Sequence, residues 1–194
     1  HASDGRIIYA GTCRELTAAQ RSAKMQQRRP AWRIKVDDEL IAFTDMHYGR
    51  QQANLAHECG DFILRRSDGV YAYQLAVVID DALMDVNQVV RGCDLLSYTP
   101  VQLYLYRLLN LTPPSFCHIP LLTDAAGRRL SKRDGDLEIA ALRQHFGSPE
   151  PIIGLLGYLA GQLPKPEPIT AAELLPLFRP EKVPHDNIVV PQLL

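Results

Sequence analysis

The sequence predicts an α/β fold, a parallel sheet with helical crossovers followed by a small helical subdomain. Three observations carry that expectation. Short apolar or β-branched runs at Phe62-Ile-Leu64, Gln88-Val-Val90 and Cys117-His-Ile119 are separated by segments long enough for helices, the pattern of parallel strands joined by crossovers. Helix-capping signals crowd the chain after Asp136. The 194 residues, 46% hydrophobic and 22% charged, have an ordinary globular composition, which excludes disorder and collagen-like order.

Taken in chain order, Trp32-Arg-Ile-Lys-Val36 and Glu39-Leu-Ile-Ala-Phe43 read as a strand pair around an Asp37-Asp38 turn. Leu75–Ile79 fits either a buried strand or, within Ala72 to Leu83, a buried crossover helix. Thr99-Pro100 places a hydroxyl N-cap before a first-turn proline, and Leu103, Tyr106 and Leu109 recur at helical spacing behind it. Asp136 can cap a short helix through Leu142 and His145 that stops at Gly147. Ser148-Pro149-Glu150 opens another, whose Ile152–Leu163 stretch is apolar on most faces and therefore expected to be buried. Thr170-Ala-Ala-Glu173 spells a capping box, and Pro164-Lys-Pro-Glu-Pro168 can only be a stiff connector.

Charge and cysteine usage narrow the function classes. The longest apolar runs, Leu75–Ile79 and Ile152–Leu156, fall far short of the ~20 residues of a membrane helix, so no membrane partner is expected. Cys13, Cys59, Cys93 and Cys117 lie far apart with no CxxC pair, which argues for a reducing, cytoplasmic compartment. The last third is acidic and proline-rich, a poor surface for a polyanion. Any nucleic-acid contact is expected from the front, where Arg21, Lys24, Arg28, Arg29, Arg33 and Lys35 cluster, unless that cluster is only a solvated helix face. The chain starts at His1 in what reads as the middle of a loop, so a preceding portion is expected to be missing.

One loop carries the strongest local chemistry. Arg128-Arg-Leu-Ser-Lys-Arg-Asp-Gly135 follows Gly127 and offers Ser131, Lys132 and Arg133 together, a hydroxyl and two cations suited to charge that grows on a phosphate during nucleotidyl transfer. Upstream stand Asp68-Gly-Val-Tyr-Ala-Tyr-Gln-Leu-Ala-Val-Val-Ile-Asp-Asp81, Val89-Val-Arg-Gly-Cys-Asp-Leu-Leu96, Thr99-Pro-Val-Gln102 and His118-Ile-Pro-Leu-Leu122. In this order and spacing, residues 61–135 resemble the catalytic core of the class I glutamyl-type aminoacyl-tRNA synthetases, with Arg129-Leu-Ser-Lys-Arg133 in the place of their KMSKS signature.

The resemblance implies a fold and a site. Residues 61–135 would be the second half of a Rossmann-type nucleotide-binding domain, residues 1–60 the latter part of an inserted acceptor-binding-like subdomain, and residues 136–194 a helical stem-contact-like subdomain. Tyr73 and Arg91 would hold glutamate, consistent with the rigid fork that guanidinium offers a carboxylate. The other reading makes Tyr73 a core residue and Arg91 an ion-pair partner of Asp80, Asp81 or Asp94. His118, Ile119 and Leu121 would line the adenosine of ATP with their backbone, with Ser131, Lys132 and Arg133 at its phosphates. Lys132 would be the catalytic residue, stabilising the departing pyrophosphate, and Mg2+ would accompany ATP. No general base is expected, since such activation is chiefly positioning and electrostatics.

Two further features separate branches of the superfamily. Gly5 to Arg14 is similar to a zinc-binding element of one branch, with Tyr9 and Cys13 matching half of it; the other half is absent, and both may equally be core residues, so Zn2+ is an open expectation. That branch attaches glutamate to queuosine in the anticodon of tRNA(Asp) and lacks an anticodon-binding domain, which the short run from Gly135 to Leu194 matches. The implied reaction is attack of the glutamate α-carboxylate on the α-phosphorus of ATP, then attack of a queuosine cyclopentenediol hydroxyl on the adenylate. The partners are glutamate, ATP and queuosine-bearing tRNA(Asp); the sequence leaves the oligomeric state open, with a monomer favoured. No HIGH-like motif precedes the insertion, so this polypeptide by itself is expected not to form an adenylate. The alternatives are a fragment of a glutamyl-tRNA synthetase charging tRNA(Glu), and a synthetase-like protein that binds tRNA or nucleotide without catalysis.

Overall fold

The computed structural model describes residues 8–130 and 139–190. They divide into two compact units. One holds the described residues up to Val89 together with Leu95–Phe116, the other Val90–Asp94 together with the described residues from Cys117 on.

The first unit opens with α1 (Ala18–Gln27), started by a capping box: the Thr17 hydroxyl accepts the Gln20 N–H and the Gln20 side chain accepts the Thr17 N–H. No residue of α1 is buried. Strand β1 (Trp32–Arg33) is followed by a hairpin of β2 (Leu40–Asp45) and β3 (Gly49–Asn54), paired antiparallel from Leu40 opposite Asn54 to Asp45 opposite Gly49. The buried Asp45 carboxylate closes the turn by accepting the N–H groups of His47 and Tyr48 at 3.0 and 2.9 Å, and Gly49 takes the left-handed φ of 68° that the turn needs. After α2 (Leu55–Glu58), β4 (Ile63–Arg65) pairs antiparallel with β1, and α3 (Tyr73–Leu83) and α4 (Thr99–Leu108) complete the unit.

Helix α4 organises its core. Val101 and Tyr104 pack with Val36, Ile41 and Leu55, while Leu105 and Tyr106 pack with Val78 and Phe116. Ile34, Phe62 and Leu103 lie against both clusters and join them. The buried Tyr104 ring meets Phe62 edge to face at 6.4 Å, and its phenol donates to the Lys35 carbonyl at 3.3 Å, so a polar tip in the core keeps a partner.

Asp61, 5% exposed, anchors the segment before α1 to this body. Arg14 grips its carboxylate with Nε and Nη2 at 2.6 and 2.5 Å, and the Val36 N–H adds a third bond at 3.1 Å. Arg33 donates to the Asp61 carbonyl at 2.7 Å and lies over the Tyr9 ring at 4.1 Å. The Arg14 side chain holds the Asp61 carboxyl below its ordinary pKa.

In the second unit, β7 (Leu122–Thr123) runs parallel to β8 (Ile188–Val189), and α5 (Ile139–Phe146), α6 (Glu150–Leu159) and α7 (Ala171–Leu174) lie between them in sequence. Gly147 ends α5 at φ 74°, and Thr170 and Glu173 form the expected capping box on α7. Strand β5 (Gln88–Gly92) pairs with β6 (Ser115–Ile119).

Several local expectations are corrected. The Trp32–Val36 and Glu39–Phe43 runs do not pair with each other: the first meets β4 and the second meets β3, because the tight turn is made at Asp45 to Gly49 and not at Asp37-Asp38. Strands among the described residues form two-stranded pairs, of which β1–β4 and β2–β3 are antiparallel, in place of one continuous parallel sheet. The Ala72–Leu83 alternative resolves as helix α3. Thr99 is not an N-cap; a 3-10 turn over Cys93–Tyr98 leads directly into α4, which leaves Thr99 inside the helix and fully buried. Helix α6 is half-buried, since its buried positions are Gly154 and Gly157 and not its large side chains. The Asp136 cap lies outside the described residues.

Gly154 and Asp61 give two tests. A Cβ at Gly154 would stand 1.9 Å from the Glu167 carbonyl oxygen, so Gly154→Ala is expected to destabilise by about 3 kcal/mol or more despite the better helix propensity of alanine, read as a lowered urea midpoint. Asp61→Asn is expected to cost about 2 kcal/mol at neutral pH through its charge-assisted bonds. Because the folded Asp61 pKa is depressed, its stabilisation is fully present above the ordinary aspartate range and drains as pH falls through the folded value. The gap between wild type and Asp61→Asn should therefore close in acid, and a gap independent of pH would reject the pair as its source.

Candidate active site

Arg91 stands near the end of β5, and strand pairing with β6 brings it level with a histidine far away in sequence. The Arg91 Nε–H donates to His118 Nε2 at 2.9 Å, and His118 is fully buried. An imidazole that accepts at Nε2 carries its proton on Nδ1. Held through Nε, the guanidinium has a fixed plane, which is what a fork-on-fork grip on a carboxylate requires. Asp94, a candidate ion-pair partner for Arg91, pairs with Arg129 instead. Gly92 between them has no room for a side chain: a Cβ there would meet Asp94 Oδ1 at 2.6 Å and Leu121 Cδ2 at 2.9 Å.

Part of the backbone of the segment after His118 is engaged within the protein. The Leu121 carbonyl accepts the Ile188 N–H at 2.8 Å, and the Leu122 carbonyl accepts the Leu130 N–H at 3.0 Å. Ile119 is 39% exposed. Beyond β7 the chain turns at Asp124, whose carboxylate accepts the N–H groups of Ala126 and Arg128 and the Arg128 Nε–H at 2.9 to 3.0 Å. The Arg128 backbone bond is the main reason the Asp124 carboxyl sits below the usual range. This turn and the Asp94–Arg129 pair set the root of the basic loop. Ser131, Lys132 and Arg133 themselves lie outside the described residues.

The remaining candidates belong to the first unit. Tyr73 is the first residue of α3 and is half exposed at 55%, so it is not a core residue. The next residue, Gln74, accepts from Gln102 at 2.7 Å and borders a cleft of about 370 Å³ that also meets Tyr9, Arg33, Asp61, Phe62 and Tyr98. The Tyr9 hydroxyl accepts the Cys13 N–H at 2.9 Å, so these two residues close a local turn. A structural zinc needs four ligands, and no group of three His, Cys, Asp or Glu residues converges on a metal position among the described residues. Among the described residues, Tyr9 and Cys13 are joined by no further ligands of the kind a structural zinc takes. The four cysteines are thiols.

Sequence reasoning missed the orienting role of His118, the Asp94–Arg129 pair and the Arg14–Asp61 anchor. Each joins residues 27 to 47 positions apart, and no local pattern signals such a contact.

Comparison with known proteins identifies the family of the chain. Residues 2–174 match the family described as tRNA synthetases class I (E and Q), catalytic domain. The chain is 48% identical over 192 residues to a glutamyl-Q tRNA(Asp) synthetase of Nitratidesulfovibrio vulgaris, covering 98% of this chain and 59% of that protein. It is 45% identical over 184 residues to one of Symbiobacterium thermophilum, covering 94% and 57%. The chain therefore spans under two thirds of the length of these relatives. The crystal structure of a glutamate-tRNA synthetase from Elizabethkingia anophelis superposes with a TM-score of 0.70 at 21% identity, covering 93% of this chain and 40% of that one, and so shares the mixed α/β fold. The chain belongs to the class I tRNA synthetase family of the glutamyl and glutaminyl type, as part of its catalytic domain.

Proposed function

We propose that this chain is the latter part of the catalytic body of an ATP-dependent ligase that activates glutamate and transfers it to queuosine in tRNA(Asp). The observation that carries the reading is the Arg91 guanidinium, oriented by a buried histidine at the strand end beside a backbone-rich segment. The names of the 48% and 45% identical relatives favour queuosine of tRNA(Asp) as the acceptor over the 3′ end of tRNA(Glu). In this reading residues 1–60 are the end of an inserted subdomain, 61–135 the second Rossmann half and 136–194 a helical subdomain. Among the described residues no helix is long and apolar enough to cross a membrane.

The chemistry follows from the residues. Arg91 and the Tyr73 hydroxyl hold the glutamate and present its α-carboxylate to the α-phosphorus of ATP. The new P–O bond forms as the bond to pyrophosphate breaks, and Lys132 stabilises the charge on the departing group. Mg2+ bound to the triphosphate would screen its charge. No side chain needs to remove a proton in this step, because the nucleophile is already ionised. A cyclopentenediol hydroxyl then attacks the acyl carbon, the ester bond forming as the acyl–phosphate bond breaks, and its proton passes to the departing AMP phosphate or to solvent.

The tRNA would be gripped from the front of the first unit. Arg21, Lys24 and Arg28 recur at helical spacing along and just after α1, all exposed, and no acidic residue occurs between Glu15 and Asp37. Such a face favours phosphates over base edges.

The deciding experiment incubates the full-length protein with labelled glutamate, ATP and separate tRNAs with and without queuosine. Label confined to queuosine-bearing tRNA(Asp) is the expected result, and label on tRNA(Glu) would overturn it. In pyrophosphate exchange, Arg91→Lys is expected to raise the glutamate KM about tenfold or more by losing the fork, while Lys132→Ala lowers kcat about a hundredfold. Unchanged constants would remove either residue from its role. Replacing Arg21, Lys24 and Arg28 together by alanine should weaken tRNA binding uniformly and flatten the salt dependence by a slope of up to about 3, and an unchanged slope would move the interface elsewhere.

A further inference from the structure

We propose that Asn187, with strand β8 that follows it, is a positioning element for the adenosine-facing main chain; the inference rests on the proposed role of residues 118–122 in ATP binding. The Asn187 Oδ1 accepts the Leu121 N–H at 3.0 Å, and the Ile188 N–H donates back to the Leu121 carbonyl at 2.8 Å. One step further on, the Val190 N–H donates to the Thr123 carbonyl at 2.8 Å, and the Thr123 hydroxyl donates to the Ile188 carbonyl at 3.5 Å. Both polar groups of the Leu121 backbone are thus held by residues 66 and 67 positions later.

The same Asn187 oxygen also accepts from the Cys93 thiol at 3.6 Å. Cys93 is two residues from Arg91, so one side-chain oxygen ties the turn after the arginine to the segment after His118. Thr123 and Val190 are buried and seat the pair of strands, while Asn187 itself is exposed. An extended segment with little side-chain chemistry keeps its path only where its backbone groups have fixed partners. Here β8 and Asn187 supply those partners immediately before the root of the basic loop. Asn187 touches no reacting atom in this scheme; it acts through Leu121.

The test uses the full-length protein and two readouts: equilibrium dialysis with Mg2+-ATP, and pyrophosphate exchange with ATP and glutamate varied separately. Asn187→Ala removes one backbone-holding bond at an exposed site, so ATP binding is expected to weaken about fivefold, with the glutamate KM within about twofold of wild type. Asn187→Ser, too short to reach Leu121, should match alanine. Asn187→Asp keeps the accepting oxygen and, measured at a salt concentration that screens its added charge, should restore ATP affinity. Thermal melting of each variant checks that the fold is retained. Unchanged ATP affinity in both the alanine and serine variants would overturn the proposal. So would equal rises in both KM values, or an aspartate variant as impaired as alanine. Wild-type protein that binds ATP but shows no glutamate-dependent exchange would reject the proposed reaction, while the ATP dissociation constants still decide the role of Asn187. Wild-type protein that binds no ATP would overturn both.

Discussion

A guanidinium that is free to rotate binds a carboxylate weakly, because the entropy lost on docking offsets much of the two-bond geometry. The buried imidazole of His118 removes that loss in advance by holding Arg91 at Nε. Burial matters to the arrangement: a fully exposed histidine would exchange its acceptor between arginine and water, whereas this one has no exposed surface. The neighbouring Gly92 lets the two strands and the Asp94 turn close around that contact, and the Asp94–Arg129 pair then anchors the start of the basic loop. In the proposed reading, the grip on the amino acid, the path for the nucleotide and the root of the basic loop all depend on how β5 meets β6.

The first unit solves a different problem. Its strands are short, and a two-stranded sheet is marginal in water unless one face is covered. Helix α4 provides the cover by presenting Val101 and Tyr104 to one apolar cluster and Leu105 and Tyr106 to the other. The segment before α1 contributes no buried residue through that helix, so it depends on the Arg14–Asp61 clasp and the Arg33–Tyr9 stack for its attachment. Polar anchoring leaves the exposed face of α1 available for its cations without an apolar face to hide.

What could be read in the sequence tracks the range of the physics. Thr170-Ala-Ala-Glu173 announced its helix because a capping box is complete within four residues. Thr17-Ala-Ala-Gln20 closes the same kind of box through a neutral glutamine, a fainter mark than the glutamate of Thr170-Ala-Ala-Glu173. Order and spacing of motifs placed Arg91, His118 and the basic loop in one catalytic core, and the family match agrees. The hairpin turn was hidden because Asp45 closes it from its side chain across Met46-His47-Tyr48, a weaker signal than the adjacent aspartates at Asp37-Asp38. Pair contacts such as Arg91–His118 and Arg14–Asp61 leave no periodic trace, so only coordinates reveal them.

The division of electrostatic labour follows from these contacts. Asp61, Asp94 and Asp124 each take an arginine, so the charge of these acids is neutralised locally. The Asp94 and Asp124 pairs, close to solvent, add little to stability, with a median of about 0–1 kcal/mol, and their effect is better read as placement of charge, whereas the buried Asp61 carboxylate also anchors its segment. Each pair also binds a segment with few apolar contacts of its own: the stretch before α1, the turn after Arg91 and the turn before the basic loop. Near-neutral overall composition therefore coexists with an exposed cationic face on α1, a stretch in which no acidic residue falls. The surplus acids of the last third, which would repel a polyanion, lie far along the chain from the α1 cations and carry none of that placement.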